Sequence, residues 1–423
     1  MTPVTAADTP DIRQRTTGLG GVWRVALRRS AGLYVLPLML VLEAINALSR
    51  DRDWATEFSG TLNWSGSALI LAAPLIAGAA AAESVTLRRH GAAELLGVPQ
   101  ARRQRFHAMR VAATALWCTL GHLLGTGLCL GFYLADHGWS LAQAPDPTLV
   151  PVLPSLALIW TATALGSLVG WARPEMLTPL LVAAGFYAVW LLLVLNGGEH
   201  LAMTSGTAAT PIGFRVRSSL IAWQVIWFGS LAFAGTVWHV RPRGPARTAI
   251  ASMTVLLVLG SGSVLWSLDS DVSEPDPGAR ARWICQGERP QVCVTSEFAA
   301  QLSSFDQAVR PVAIALARLG KDAPLRVEQR IDQQYQTPRA MPVALTARRD
   351  TELQQVTYNA LLWASGCDDT KLDLDTEAWL NTEIKLAGWL TGEYAGDAAG
   401  AEEVRTAGPE QARRWLDQMR SCS

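Results

Sequence analysis

Residues 88–134 read RRHGAAELLGVPQARRQRFHAMRVAATALWCTLGHLLGTGLCLGFYL. Six arginines and a single acid, Glu94, occupy the first half of this stretch. The second half, from Val111 to Leu134, contains no Asp, Glu, Lys or Arg. About 20 mostly apolar residues of helix cross the hydrocarbon core of a bilayer, so 111–134 reads as a membrane span. The basic stretch before it marks a side, because arginine and lysine collect in short cytoplasmic loops.

On either side of this stretch, segments 31–48, 65–82, 149–171, 177–195, 220–240 and 250–268 are also long and apolar enough to span. With 111–134 this predicts about seven spans. The second is rich in Ala and Gly, and a re-entrant segment is its alternative. Arg24, Arg28 and Arg29 precede the first span, Arg173 separates the fourth from the fifth, and Arg241, Arg243 and Arg247 separate the sixth from the seventh. The intervening loops are poorer in basic residues, apart from Arg215 and Arg217. The alternation predicts a multi-pass protein of the cell membrane, with a cytoplasmic N-terminal segment (1–30), a helical domain (31–268) whose loop 83–110 is cytoplasmic, and an extracellular C-terminal region. Trp64, Trp171, Trp238 and Trp266 fall near span ends, where indole rings anchor at the headgroups.

The charge distribution agrees. The whole chain is neutral, with 36 basic and 36 acidic residues. Up to Leu268, 19 Lys/Arg stand against 12 Asp/Glu, and beyond it 17 against 24. Because the basic residues sit in short loops between apolar runs, a nucleic-acid partner is not expected. The polar first residues lack the apolar core of a cleavable signal peptide, so the first span is expected to serve as its own insertion signal.

Within the spans, Gly121/Gly125 and Gly127/Gly131 form two Gly-x-x-x-Gly pairs, the pattern that lets helix backbones approach closely. Glu43 and His122 are ionisable residues inside apolar runs, a costly placement that hints at function, the alternatives being a Glu43 near the outer interface and a His122 satisfied by a neighbouring helix. Cys118 and Cys129 read as packing residues.

Composition changes after Leu268. Residues 269–282, with Pro275 and Pro277 among acids, read as a linker, and 283–423 as a small soluble domain. Helices are predicted around Val312, Leu316 and Leu319, over 350–365, over 376–390, and from Pro409 with an apolar face of Ala412, Trp415, Leu416 and Met419. Short strands are predicted at 325–329 and 342–346. The fold class is thus a membrane all-α helical bundle followed by a small α-rich α+β extracellular domain. Four of the six cysteines, Cys285, Cys293, Cys367 and Cys422, lie in that domain. In an oxidising compartment they suggest disulfides, with three pairings open and proximity favouring Cys285 with Cys293.

Catalytic signatures are missing. There is no Gly-x-x-x-x-Gly-Lys-Ser/Thr loop, no Gly-x-Ser-x-Gly and no His-Glu-x-x-His. No His follows His239, and no paired Cys-x-x-Cys occurs, which argues against zinc. Asp368, Asp369, Asp373 and Asp375 lack the glycine and spacing of a calcium loop. The expectation is a non-catalytic protein with no cofactor.

The loop residues Glu83, Arg88, Arg89, Gly91, Glu94, Leu95, Leu96, Pro99, Arg102 and Arg103, with the opening 23–30 (WRVALRRS), resemble type-2 ABC exporter permeases. The chain is also similar to permease-like proteins of high-GC Gram-positive bacteria that carry a C-terminal extracellular domain. The similar residues there are Cys285, Val292-Cys293, Trp415-Leu416 and Cys422. The resemblance implies a membrane subunit that depends on a separate ABC ATPase. It implies that Arg88, Arg89, Glu94, Leu95, Leu96, Pro99, Arg102 and Arg103 contact that ATPase, and that a homodimer or a second permease completes the path. The seventh span, one beyond the usual six, would carry the C-terminus outside. The alternative is a membrane-anchored extracellular binding, sensor or immunity protein.

Overall fold

The computed structural model describes residues 19–48, 58–89, 100–136, 148–202, 214–240, 245–268, 273–275, 283–319, 326–329, 340–343, 352–365, 377–391 and 398–419. The chain starts with α1 (Leu19–Arg29), an amphipathic helix that buries Ala26 and exposes Arg24, Arg28 and Arg29. It bends by 48° into α2 (Gly32–Leu48). Next, α3 (Phe58–Ser65) passes through a 3-10 turn into α4 (Leu69–Arg89). α5 (Gln100–Asp136) is the longest helix described, followed by α6 (Leu153–Ala172) and α7 (Thr178–Leu195). The short α8 (Glu199–Ala202) precedes α9 (Ser218–Val240) and α10 (Pro245–Ser267). Six helical runs are long and apolar enough to cross a membrane, or seven with the bent α1–α2 pair.

The Ala/Gly-rich second span, with re-entrance as its alternative in sequence, is part of a continuous helical run from Phe58 to Arg89 and is the most enclosed of the candidates. Small side chains there serve packing. A Cβ on Gly166 of α6 would lie 2.1 Å from the Ala77 carbonyl oxygen, and one on Gly170 would lie 2.4 Å from that of Ala81. Backbone contact of this kind holds α4 against α6 where lipid offers no hydrophobic driving force. α7 leans on α4, and α9 on α6.

Within the stretch 83–110, both flanks are helical. Helix α4 continues through Arg89 and α5 starts at Gln100, so only residues 90–99 separate them. The charged flanks stay helical because arginines at a helix end reach water without breaking the backbone ladder.

Two short strands, β1 (Phe214–Val216) before α9 and β2 (Ser273–Pro275) after α10, pair antiparallel, with Arg215 opposite Glu274. Part of the expected linker is therefore tied to a membrane-proximal segment. The C-terminal region holds a four-stranded sheet in the order β3 (Trp283–Gln286), β4 (Gln291–Thr295), β5 (Arg326–Gln329), β6 (Ala340–Val343). The first pair is antiparallel and the other two are parallel. Helices α11 (Leu302–Arg318), α12 (Glu352–Ser365), α13 (Glu377–Thr391), α14 (Ala398–Thr406) and α15 (Pro409–Met419) complete it. One core joins Val292, Val294, Val327, Phe305, Val309, Leu316, Leu361, Trp415 and Leu416. Each such large side chain contributes about 1.5–3 kcal/mol on burial.

Candidate functional site

Five arginines assemble at one end of the bundle, here named the arginine end. Arg110 on α5 donates from Nε to Glu83 Oε1 at 2.5 Å and from its guanidinium to the Arg29 carbonyl. Arg88 donates to the carbonyls of Trp171 and Ala172, the latter at 3.2 Å, and stands 6.0 Å over the Trp171 ring. Arg89 donates to the Pro174 carbonyl. Arg173 lies in the same turn. The carbonyls of Trp171 and Ala172 are among the last of α6 and have no partner within the helix, and guanidinium groups satisfy them while matching the negative end of the helix dipole.

Glu83 is the centre of the arrangement. Its side chain is 4% exposed, and it accepts from Arg110, from Thr114 Oγ1 at 2.6 Å and from the Ala31 backbone N–H at 3.1 Å. Charge-assisted donors on both oxygens offset the cost of burying the carboxylate. One carboxylate thereby joins the end of α4, the first turns of the α5 span and the start of α2. Trp117 adds a bond from Nε1 to the Leu27 carbonyl at 3.0 Å. A Cβ on Gly32 would lie 2.8 Å from the Thr114 backbone, so α2 crosses α5 there almost in backbone contact. Beside this latch, Ser167 Oγ lies 2.9 Å from Ser84 Oγ and 3.1 Å from His107 Nε2, and His107 packs on Trp171.

Of the residues expected to meet an ATPase, Arg88 and Arg89 are engaged with the end of α6. Glu94, Leu95, Leu96 and Pro99 lie outside the described residues. Arg102 and Arg103 stand on the first turn of α5, where only the backbone is described. Cys285 and Cys293 are disulfide-bonded across directly opposed positions of β3 and β4. Cys367 and Cys422 lie outside the described residues. Sequence reasoning did not single out Arg110, Thr114, His107 or Ser167. Arg110 and Thr114 are one helical turn apart and flank the predicted start of a span, which is the signal that was available.

A second feature lies between α6, α7 and α9. A cavity of about 650 Å³ runs from Arg173, Glu175 and Thr178 to Leu201 and Ala202. Its walls are apolar, and Trp190 Nε1 is buried without a hydrogen-bond partner. Among the described residues no cluster of His, Cys, Asp and Glu is suited to a metal ion. The chain matches no family model, no curated protein and no solved structure.

Proposed function

We propose that the chain is the membrane subunit of an ABC-type exporter, driven by a separate ATPase that docks on residues 90–99 from the cytoplasm. The observation that carries this reading is the latch. Residues 90–99 connect α4 to α5, and Glu83, Arg110, Thr114 and Trp117 clamp the bases of both helices to the α1–α2 elbow. Force applied to the loop reaches α2 through hydrogen bonds rather than through lipid. α1, amphipathic and basic in its last turn, suits a helix lying in the cytoplasmic interface. The cavity between α6, α7 and α9 falls within the size range of ligand pockets, about 300–1,000 Å³. Its apolar walls, with charges at one mouth, suit an amphipathic cargo. In this reading the C-terminal domain is extracellular, and a second copy or a second permease completes the path.

The test is to look for an ABC ATPase encoded beside this chain and to co-purify the two. Glu94→Arg with Leu95→Asp is expected to abolish capture of the ATPase. Glu83→Gln is expected to keep capture while uncoupling ATP hydrolysis from transport. Capture that is unaffected by the loop changes, or absent from the wild type, refutes the reading and leaves the anchored-binding alternative.

A further inference from the structure

Past the midpoints of α2 and α5, away from the arginine end, lies a pair that the latch does not use. His122 Nδ1 is 2.6 Å from Glu43 Oε1, and the two side chains are 0% and 1% exposed. Glu43 Oε2 and His122 Nε2 are buried with no hydrogen-bond partner. Gly125 makes the space, since a Cβ there would sit 2.4 to 2.6 Å from the Glu43 side chain. A purely structural pair in hydrocarbon would be expected to have its remaining polar atoms satisfied. Here each partner keeps one atom free for a further proton or donor.

The surroundings differ on the two sides. Toward the arginine end, Val35, Met39, Ala72, Ala73, Ile76 and Cys118 form a closed apolar cluster between this pair and Glu83. Toward the opposite end a smaller apolar cluster of Ala47, Trp64, Cys129 and Phe132 follows, with polar groups beside it. Thr126, one turn beyond His122, donates to Ser65 Oγ at 3.2 Å. Asn46, one turn beyond Glu43, accepts from Ser67 Oγ at 2.8 Å and exchanges side-chain-to-backbone bonds with Trp64 at 3.2 and 3.3 Å. Among the described residues no other charged side chain faces the pair. α3 and α6 carry none, while Glu83, Arg88 and Arg89 of α4 and the arginines of α5 and α1 sit at the arginine end, and Asp136 is the last residue of α5 at the opposite end, fourteen positions beyond His122. His239 stands in the last turn of α9. The other titratable groups nearby are the buried thiols of Cys118 and Cys129.

We propose that Glu43 and His122 form a proton-binding site that exchanges with the side of the membrane opposite the arginine loop. With one proton the pair is electrically neutral, whichever atom holds it, and that is the form hydrocarbon tolerates. Loss of that proton to water on the polar side leaves a carboxylate beside a neutral imidazole, and its return restores the pair; no other bond changes. This site goes beyond the exporter reading and needs no ATPase, so it stands or falls separately.

Dicyclohexylcarbodiimide reports on it. A protonated carboxyl adds across the reagent's C=N bond, and the acyl group then moves to nitrogen, leaving a stable N-acylurea on the side chain. The full chain is placed in sealed liposomes in one orientation, labelled at a series of pH values on each side, and read by peptide mass spectrometry. The expected result is an adduct on wild-type Glu43 that is absent in Glu43→Gln. Its yield should fall by about tenfold per pH unit on the alkaline limb, as one exchanging proton requires. The profile should follow the pH on the side opposite the arginine loop. Glu83, held by Arg110, is the internal control for the reagent's own pH dependence. No Glu43 adduct at any pH, the same profile on Glu83, or a profile that follows the arginine side would overturn the proposal. Because the wild type carries the test, a variant that fails to fold does not rescue it.

Discussion

Glu83 and Arg110 illustrate how a buried charge is kept. Removing one partner strands the other, which costs about 3–5 kcal/mol where the pair is buried. Glu83→Gln is therefore expected to lower the thermal unfolding midpoint in detergent, and Glu83→Gln with Arg110→Met to recover part of the loss. A double variant no better than the sum of the single ones would show that the two side chains do not couple. The glycines of α5 separate what sequence could not. Gly121 meets Leu36 and Met39, and Gly125 meets Glu43, whereas a Cβ on Gly127 or Gly131 meets nothing within 4 Å. Gly125→Ala is thus expected to destabilise strongly, and Gly127→Ala to change stability by no more than about 0.5 kcal/mol. Both Gly-x-x-x-Gly pairs look alike in the chain. Only the first faces a neighbouring helix, because α2 packs on one side of α5 alone.

Among the helices, α15 was readable in advance. Pro409 opens it, and Ala412, Trp415, Leu416 and Met419 are all buried, as the spacing predicts. Trp415→Ala is expected to cost about 3–5 kcal/mol, read as a lower unfolding midpoint of the C-terminal region. The strands were harder. β5 and β6 were predicted within a few residues, but the β3–β4 hairpin was not, even though its cysteines were chosen as neighbours. Its apolar positions do not alternate: Val292, Cys293 and Val294 of β4 are consecutive and all buried, whereas Ile284 and Cys285 of β3 are exposed. Gly185 on α7 offers another test, since a Cβ there meets open space beside the cavity. Gly185→Trp is expected to fill the cavity, leaving the unfolding midpoint intact while transport falls in an assay with the ATPase present.

For the whole molecule, the arginine end is the strongest statement about sidedness. Arg29, Arg88, Arg89 and Arg110, distant in the chain, converge through hydrogen bonds on one end of the bundle. If that end is cytoplasmic, exposed Cys285 lies outside. A membrane-impermeant maleimide applied to intact cells is then expected to label Cys285 after mild reduction and not before. Labelling that requires cell lysis would reverse the orientation.

Hydropathy alone marked the long apolar helices and their order, six or, with the bent α1–α2 pair, seven, because the length a span requires is a property of each segment. The enclosure of the Ala/Gly-rich run, the engagement of Arg88 and Arg89 with α6, the three donors on Glu83 and the meeting of Glu43 with His122 came only from packing. Each depends on which face one helix turns to another. Helices hydrophobic on all sides carry no periodic mark of that choice, so close approach to a neighbouring backbone at Gly32, Gly166 and Gly170, and to the Glu43 side chain at Gly125, decided it.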